Sequence, residues 1–176
     1  MIVYFLRHAN AGEHLANPAK DEKRALDETG IEQCGLVGRA MAAMDIQVDV
    51  IIASPLKRAT QTASLVGNEL SYEGKLQLEK ALRPEASFAD FRKLLDKYGK
   101  YESIMVVGHN PNLSEFLGRL VSDTGCEASI DLKKGAVARV ELGRNAAAML
   151  WLLTPKILRS IQTAAVESSR PKSSRK

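Results

Sequence analysis

Ile2-Val3-Tyr4-Phe5-Leu6-Arg7-His8-Ala9-Asn10-Ala11 begins with five apolar, β-favouring residues and then stops on a guanidinium beside an imidazole. A short apolar run bounded by polar residues reads as a strand buried on both faces. In an α/β sheet, groups that handle a ligand collect beyond the carboxyl ends of such strands. Two later runs repeat the pattern. Asp49-Val50-Ile51-Ile52-Ala53 leads into Ser54-Pro55-Leu56-Lys57-Arg58, and Ile104-Met105-Val106-Val107 leads into Gly108-His109-Asn110-Pro111. If the three strand ends converge, they deliver two histidines and two arginines to one pocket, a set suited to a phosphoryl group.

The segments between these strands carry helical signals. After a polar loop to about Asp27, Thr29 and Glu32 match a capping box that would open a helix with Ile31, Leu36, Val37 and Met41 on one face. Lys57 to Leu70 reads as a second helix behind Pro55, and a short β segment is predicted near Leu76 to Leu78. Phe88, Phe91, Leu94, Leu95 and Tyr98 recur at helical spacing, and so do Leu113, Phe116, Leu117 and Leu120 after Pro111. Two further runs, Ala136 to Leu142 and Ala147 to Leu153, are joined across Gly143-Arg144-Asn145 as a hairpin. Alternating strands and helices closed by a hairpin predict an α/β fold of three layers: a mostly parallel, mixed central sheet with helices on both faces.

The bulk composition narrows the function classes. A chain of 176 residues, 45% hydrophobic and 26% charged, has room for one domain with a substantial core. No apolar stretch approaches the roughly 18 residues of a spanning helix, and the first strand lacks the features of a signal peptide. We therefore expect a cytoplasmic protein with no membrane partner. The net charge of +4 lies in the last nine residues, where Arg170, Lys172, Arg175 and Lys176 stand without an acid. Residues 1–167 thus sum to zero, which argues against nucleic acid as the partner of the domain. The Ser, Pro and Lys/Arg composition of 168–176 predicts a disordered basic tail after a single domain spanning 1–167. Cys34 and Cys126 stand far apart, with no Cys-x-x-Cys and no histidines at zinc-ligand spacing, so we expect reduced thiols and no metal. Walker-type and GxGxxG loops are missing from the sequence, so a nucleotide cofactor has no obvious cradle.

Phosphoryl transfer is catalysed by in-line positioning and by cationic donors that hold the equatorial oxygens. Arg7 and Arg58 are candidate clamps, because a guanidinium matches phosphate oxygens as a planar fork. Arg58 also falls in the first turn of its helix, where the free N–H groups and the dipole favour an anion. His8 is the candidate nucleophile, since a neutral imidazole can attack phosphorus if its other nitrogen is tied to a fixed acceptor. His109 would face it and donate to the phosphoryl oxygens.

These residues resemble a known family. Leu6-Arg7-His8-Ala9-Asn10-Ala11 is similar to the R-H-[GA]-x-[AST] signature of the histidine phosphatase superfamily. Ser54-Pro55-Leu56-Lys57-Arg58-Ala59-Thr60-Gln61-Thr62-Ala63 resembles its S-P-x-x-R-[AC]-x-[QE]-T motif, and Val106-Val107-Gly108-His109 its second-histidine motif. The short length, Gly-His-Asn-Pro, and Trp151-Leu152-Leu153-Thr154-Pro155 resemble the SixA-type phosphohistidine phosphatase branch. The resemblance implies a phosphoglycerate mutase-like fold, a phosphoenzyme at His8, phosphate binding by Arg7, Arg58 and His109, and no metal or organic cofactor. Larger relatives carry a glutamate general acid after the third strand. Here Leu82-Arg83-Pro84-Glu85 occupies that neighbourhood, making Glu85 the candidate acid and Glu79 a weaker one. Asn10 is a candidate substrate contact, although turn geometry alone would also place an asparagine there.

The span from Leu70 to Tyr101 is too short for both a core helix and a large lid. An open mouth favours phosphohistidine on a protein partner of the histidine phosphotransfer type. Two alternatives stand beside that reading: a small-molecule phosphomonoesterase of the same superfamily, and a non-catalytic phosphate-binding module.

Overall fold

The computed structural model describes residues 1–122, 128–144 and 146–169. Its apolar runs form strands because a β-strand sends alternate side chains to opposite faces, and here both faces are covered. The strands are β1 (Ile2–Arg7), β2 (Val50–Ala53), β3 (Gln77–Leu78), β4 (Ser103–Gly108), β5 (Val137–Leu142) and β6 (Ala147–Leu153). They make one sheet in the order β3-β2-β4-β1-β5-β6. The β3–β2, β2–β4 and β4–β1 pairs are parallel, and the hairpin side, β1–β5–β6, is antiparallel. The fold is the three-layer, mostly parallel mixed sheet that the strand–helix alternation predicts.

The helices are α1 (Pro18–Glu22), α2 (Glu28–Ala43), α3 (Lys57–Glu69), α4 (Phe88–Lys97), α5 (Asn112–Val121) and α6 (Pro155–Ser169), with a single 3-10 turn at Lys80–Leu82. Val3, Phe5, Val50, Ile52, Ile104 and Val106 face α4 and α5. Their chain neighbours Tyr4, Leu6, Ile51, Ala53, Met105 and Val107 face the opposite layer, built on α2 and α3. Period-2 alternation thus divides each central strand between two cores. On the first face Phe91 lies between Phe5 and Phe116, with ring centroids 5.6 and 5.0 Å away. Each such ring contributes about 1.5–3 kcal/mol by burial.

Several sequence expectations are corrected. Helix α2 is capped by Asp27, whose Oδ1 accepts from Gly30 N at 2.8 Å, and not by Thr29, which lies inside it. Ile31 leaves the apolar face and is 52% exposed, whereas Leu36, Val37 and Met41 are buried. Part of the polar loop before Asp27 winds into α1, started by the Asn17 side chain accepting from Lys20 N with Pro18 in the first turn. A helix follows the hairpin as well: α6 (Pro155–Ser169) begins with Thr154 Oγ1 accepting from Ile157 N. Cys126, Asn145 and the tail residues 170–176 lie outside the described residues, whereas Cys34 is a buried free thiol.

Parallel pairing of β2, β4 and β1 as neighbours brings the three motif-bearing strand ends to one edge of the sheet. The ladder continues into the loops: Ser54 N donates to Val107 O at 2.9 Å, and His8 N to Gly108 O at 3.0 Å. Helix α2 then pins the loop after His8. A Cβ built on Gly30 would stand 2.0 Å from the Asn10 carbonyl oxygen, so only glycine permits this approach.

Candidate active site

Beyond these strand ends lies a cleft of about 510 Å³ whose walls include Arg7, His8, Arg58 and His109. The two imidazoles face each other with ring centroids 5.0 Å apart. His8 is held by its own loop: Nδ1 lies 2.8 Å from the Ala9 carbonyl oxygen. A carbonyl can only accept, so Nδ1 carries the hydrogen and Nε2 keeps its lone pair. Burial, reinforced by the charges of Arg58, Arg7 and Lys134, pushes the His8 pKa down to about 3, although the bond to Ala9 favours the charged form. The ring is therefore neutral at neutral pH.

His109 Nε2 lies 2.8 Å from Ser54 Oγ. Burial, followed by the charges of His8, Arg58, Arg83 and Arg7, pushes its pKa down to about 2. An anion among these groups supplies the opposite charge that reverses this effect. As an imidazolium, His109 would donate from Nε2 to Ser54 and from Nδ1 to the anion.

Arg58 is positioned by a residue with no motif to mark it. Its Nη1 donates to the Asp21 carbonyl at 2.9 Å and to Asp21 Oδ2 at 3.2 Å. Burial works against the Asp21 carboxylate. Hydrogen bonds from Arg24 (2.8 Å) and the Leu15 N–H (3.0 Å), with the Arg58 charge, outweigh it and hold the pKa well below the usual carboxylate range. Helix α1 brings Asp21 here, and Arg24 ties the loop by donating to Ala11 O at 2.7 Å. Thr62, one turn beyond Arg58, accepts from Ala9 N (3.1 Å) and donates to Arg58 O (2.7 Å), linking α3 to the His8 loop. Arg7 Nη1 donates to Leu132 O at 2.8 Å.

Buried donors without a partner are rare, because each costs about 1–3 kcal/mol in the absence of a ligand or solvent. Among the described residues, four buried side-chain polar atoms lack a protein partner, and three of them are Arg7 Nε, Arg58 Nε and His109 Nδ1. Two guanidinium donors grouped in this way with the open Nδ1 of His109 around a neutral His8 imidazole make an anion site, on which His109 donates once the anion has favoured its protonation. Among the described residues, no three His, Cys, Asp or Glu side chains cluster as metal ligands, and no helix is long and apolar enough to cross a membrane.

The other sequence candidates fall into different places. Glu85 reaches the cleft mouth but is ion-paired with Arg83, which also pairs with Glu22. The Arg83 hydrogen bond holds the Glu85 pKa below its ordinary value, which favours the carboxylate over the acid. Glu79 lies outside this cleft, bonded to Lys97 and to Tyr98 Oη at 2.8 Å. Asn10 spends its side chain on the scaffold: Nδ2 donates to Asp27 Oδ2 at 2.6 Å, and Oδ1 accepts from Lys134 Nζ at 2.7 Å. Lys134, unmarked in sequence, lines the cleft from the turn before β5.

This geometry joins a family match. The profile of the histidine phosphatase superfamily (branch 1) matches residues 3–97, more than half of the chain. The chain belongs to the histidine phosphatase superfamily. An uncharacterized protein of Picosynechococcus sp. strain PCC 7002 is 30% identical over 147 residues, covering 81% of this chain and 86% of that protein. Among solved structures, the protein histidine phosphatase SixA complexed with tungstate superposes with a TM-score of 0.80 at 23% identity, covering 90% of this chain and 99% of the other. Phosphoglycerate mutase from Bacillus anthracis str. Sterne superposes with a TM-score of 0.70 at 14% identity, covering 92% and 96%. At these identities the structural likenesses establish the fold that this superfamily member shares with them.

Proposed function

We propose that the protein is a phosphatase acting on phosphohistidine of a protein partner, through a phosphoenzyme formed on His8. The observation that carries the reading is the set of unpartnered buried nitrogens, Arg7 Nε, Arg58 Nε and His109 Nδ1, around an imidazole tied at Nδ1. In the first step the lone pair of His8 Nε2 forms a bond to phosphorus as the substrate's N–P bond breaks. Arg7, Arg58 and His109 hold the equatorial oxygens as their charge builds. The substrate reacts as its phosphoimidazolium form, protonated on the nitrogen that does not bear phosphorus, so the departing imidazole keeps that proton and leaves neutral. Water then attacks the phosphoenzyme, releasing phosphate and restoring neutral His8.

Two features favour a phosphoramidate on a macromolecule. Glu85, ionised by Arg83, is poorly suited to protonate an alkoxide leaving group, whereas phosphohistidine protonated on its free ring nitrogen brings its own proton. The span from Leu70 to Tyr101 is filled by β3, one 3-10 turn and α4, leaving no chain for a lid of the kind that encloses a metabolite.

The test is parallel incubation with a phosphohistidine protein, a phosphohistidine peptide and p-nitrophenyl phosphate, using wild type and His8→Ala. Release from the phosphohistidine substrates that depends on His8 supports the reading. Turnover confined to small phosphomonoesters would replace it with a metabolite phosphatase, and binding without any turnover would make the protein a phosphate-binding module.

A further inference from the structure

A second groove, about 680 Å³, shares its wall with the active cleft: Arg83 and Glu85 line both. It runs between the 3-10 turn at Lys80–Leu82 and α4, over a floor that includes Ala81 and Leu94. Its charges are unequally engaged. All three carboxylates are occupied within the chain: Glu79 by Lys97 and Tyr98, Glu85 by Arg83, and Asp90 by the backbone N–H and hydroxyl of Ser87 that cap α4. The ammonium groups of Lys80 and Lys93 are exposed and make no hydrogen bond or close ion pair among the described residues, although the Lys93 charge acts on Asp90 one turn away. Such a groove offers ammonium donors without a bonded acceptor while its carboxylates are bonded within the chain.

We infer that this groove receives an acidic segment of the phosphorylated protein, with Lys80 and Lys93 as its anchors and Arg83 at the junction with the cleft. The inference rests on the proposed action on a protein substrate and names the surface that would tell one partner from another. Charge complementarity at an open groove acts mainly on association and is screened by salt, since the Debye length is about 10 Å at 0.1 M ionic strength. Lys80 and Lys93 lie outside the phosphate site, so their replacement leaves the chemistry on a small substrate intact.

The test uses three phosphohistidine peptides of equal length, flanked by glutamates, by serines or by lysines, with wild type and Lys80→Glu/Lys93→Glu. At low salt the glutamate peptide should show a kcat/KM about 5- to 10-fold above the serine peptide. The gain should lie in KM, shrink at high salt, and fall to about twofold or less in the double variant. Unchanged p-nitrophenyl phosphate turnover by the variant shows that the cleft is intact. Equal turnover of all three peptides by wild type, or an acidic preference that survives the double substitution, overturns the inference and leaves the proposed function standing. If no phosphohistidine peptide is hydrolysed while p-nitrophenyl phosphate is, the functional reading falls instead. Fluorescence anisotropy of the unphosphorylated glutamate peptide then decides the groove: weaker binding to the double variant supports it, and equal binding overturns it.

Discussion

His8 and His109 are neutral in the folded protein because burial and neighbouring cations exclude their protons, and this makes acid a direct probe of the site. Both pKa values lie far below the roughly 6.5 of an unfolded histidine, at about 3 and about 2. Between about pH 6.5 and pH 3 the unfolded chain therefore binds more protons, and stability falls as pH falls. Each imidazole adds up to about 1.4 kcal/mol per pH unit within that window. Denaturant titrations of His109→Gln should show a shallower acid slope than wild type, and an unchanged slope would mean that the ring is not excluded from protonation. Asp21 is the other residue whose replacement is informative. Asp21→Asn keeps the volume but removes the charge that holds the Arg58 guanidinium, and breaking a buried pair costs at most about 3–5 kcal/mol. We expect kcat on p-nitrophenyl phosphate to drop about 10- to 100-fold, less than the roughly 100- to 1,000-fold of losing one oriented donor outright, because Arg58 keeps its bond to the Asp21 carbonyl. Arg58→Lys should fall similarly despite keeping its charge, because a point charge cannot reproduce the fork. If Asp21→Asn retains full kcat, Arg58 is positioned by other means.

At the scale of elements, the contact between α2 and the His8 loop is the tightest joint. Gly30→Ala would drive a methyl group into the Asn10 carbonyl, so the loop must shift. Activity should fall together with melting temperature, whereas Gly35→Ala on the same helix, which meets only the movable end of Arg39, should change either one little. Equal behaviour of the two variants would deny the joint its role. The strands around the site were legible in sequence because β1, β2 and β4 are buried on both faces and end on motif residues. Helix α1 was harder to read. Five residues carry no usable periodicity, although Asn17 followed by Pro18 is a cap signal of the kind that also starts α6 at Thr154-Pro155. Asp21 was invisible for a related reason: nothing local distinguishes it from Glu22 or Asp27 until α1 folds it back onto Arg58. Asp27 outcompetes Thr29 as the cap because its carboxylate also gathers Asn10 Nδ2 and Gly12 N, partners distant in sequence.

The whole molecule divides its labour between two cores that hold the sheet and one sheet edge that carries the chemistry. Every cleft residue named above lies between Arg7 and Lys134, which leaves α6 outside it. We propose that residues 170–176 contribute charge only. A chain ending at Ser169 should keep its turnover and melting temperature and lose any salt-sensitive binding to nucleic acid. An anion-binding cleft should also stabilise the whole fold on loading, by about 2.7 kcal/mol at a hundredfold excess of phosphate over its Kd. The measurement that tests the central claim most directly is identification of the phosphorylated residue after rapid alkaline quenching of wild type turning over a phosphohistidine peptide. The account requires an acid-labile, alkali-stable phosphoryl group on His8, absent from His8→Ala, which should also release no phosphate. A phosphoryl group on any other residue, or steady phosphate release by His8→Ala, would contradict it.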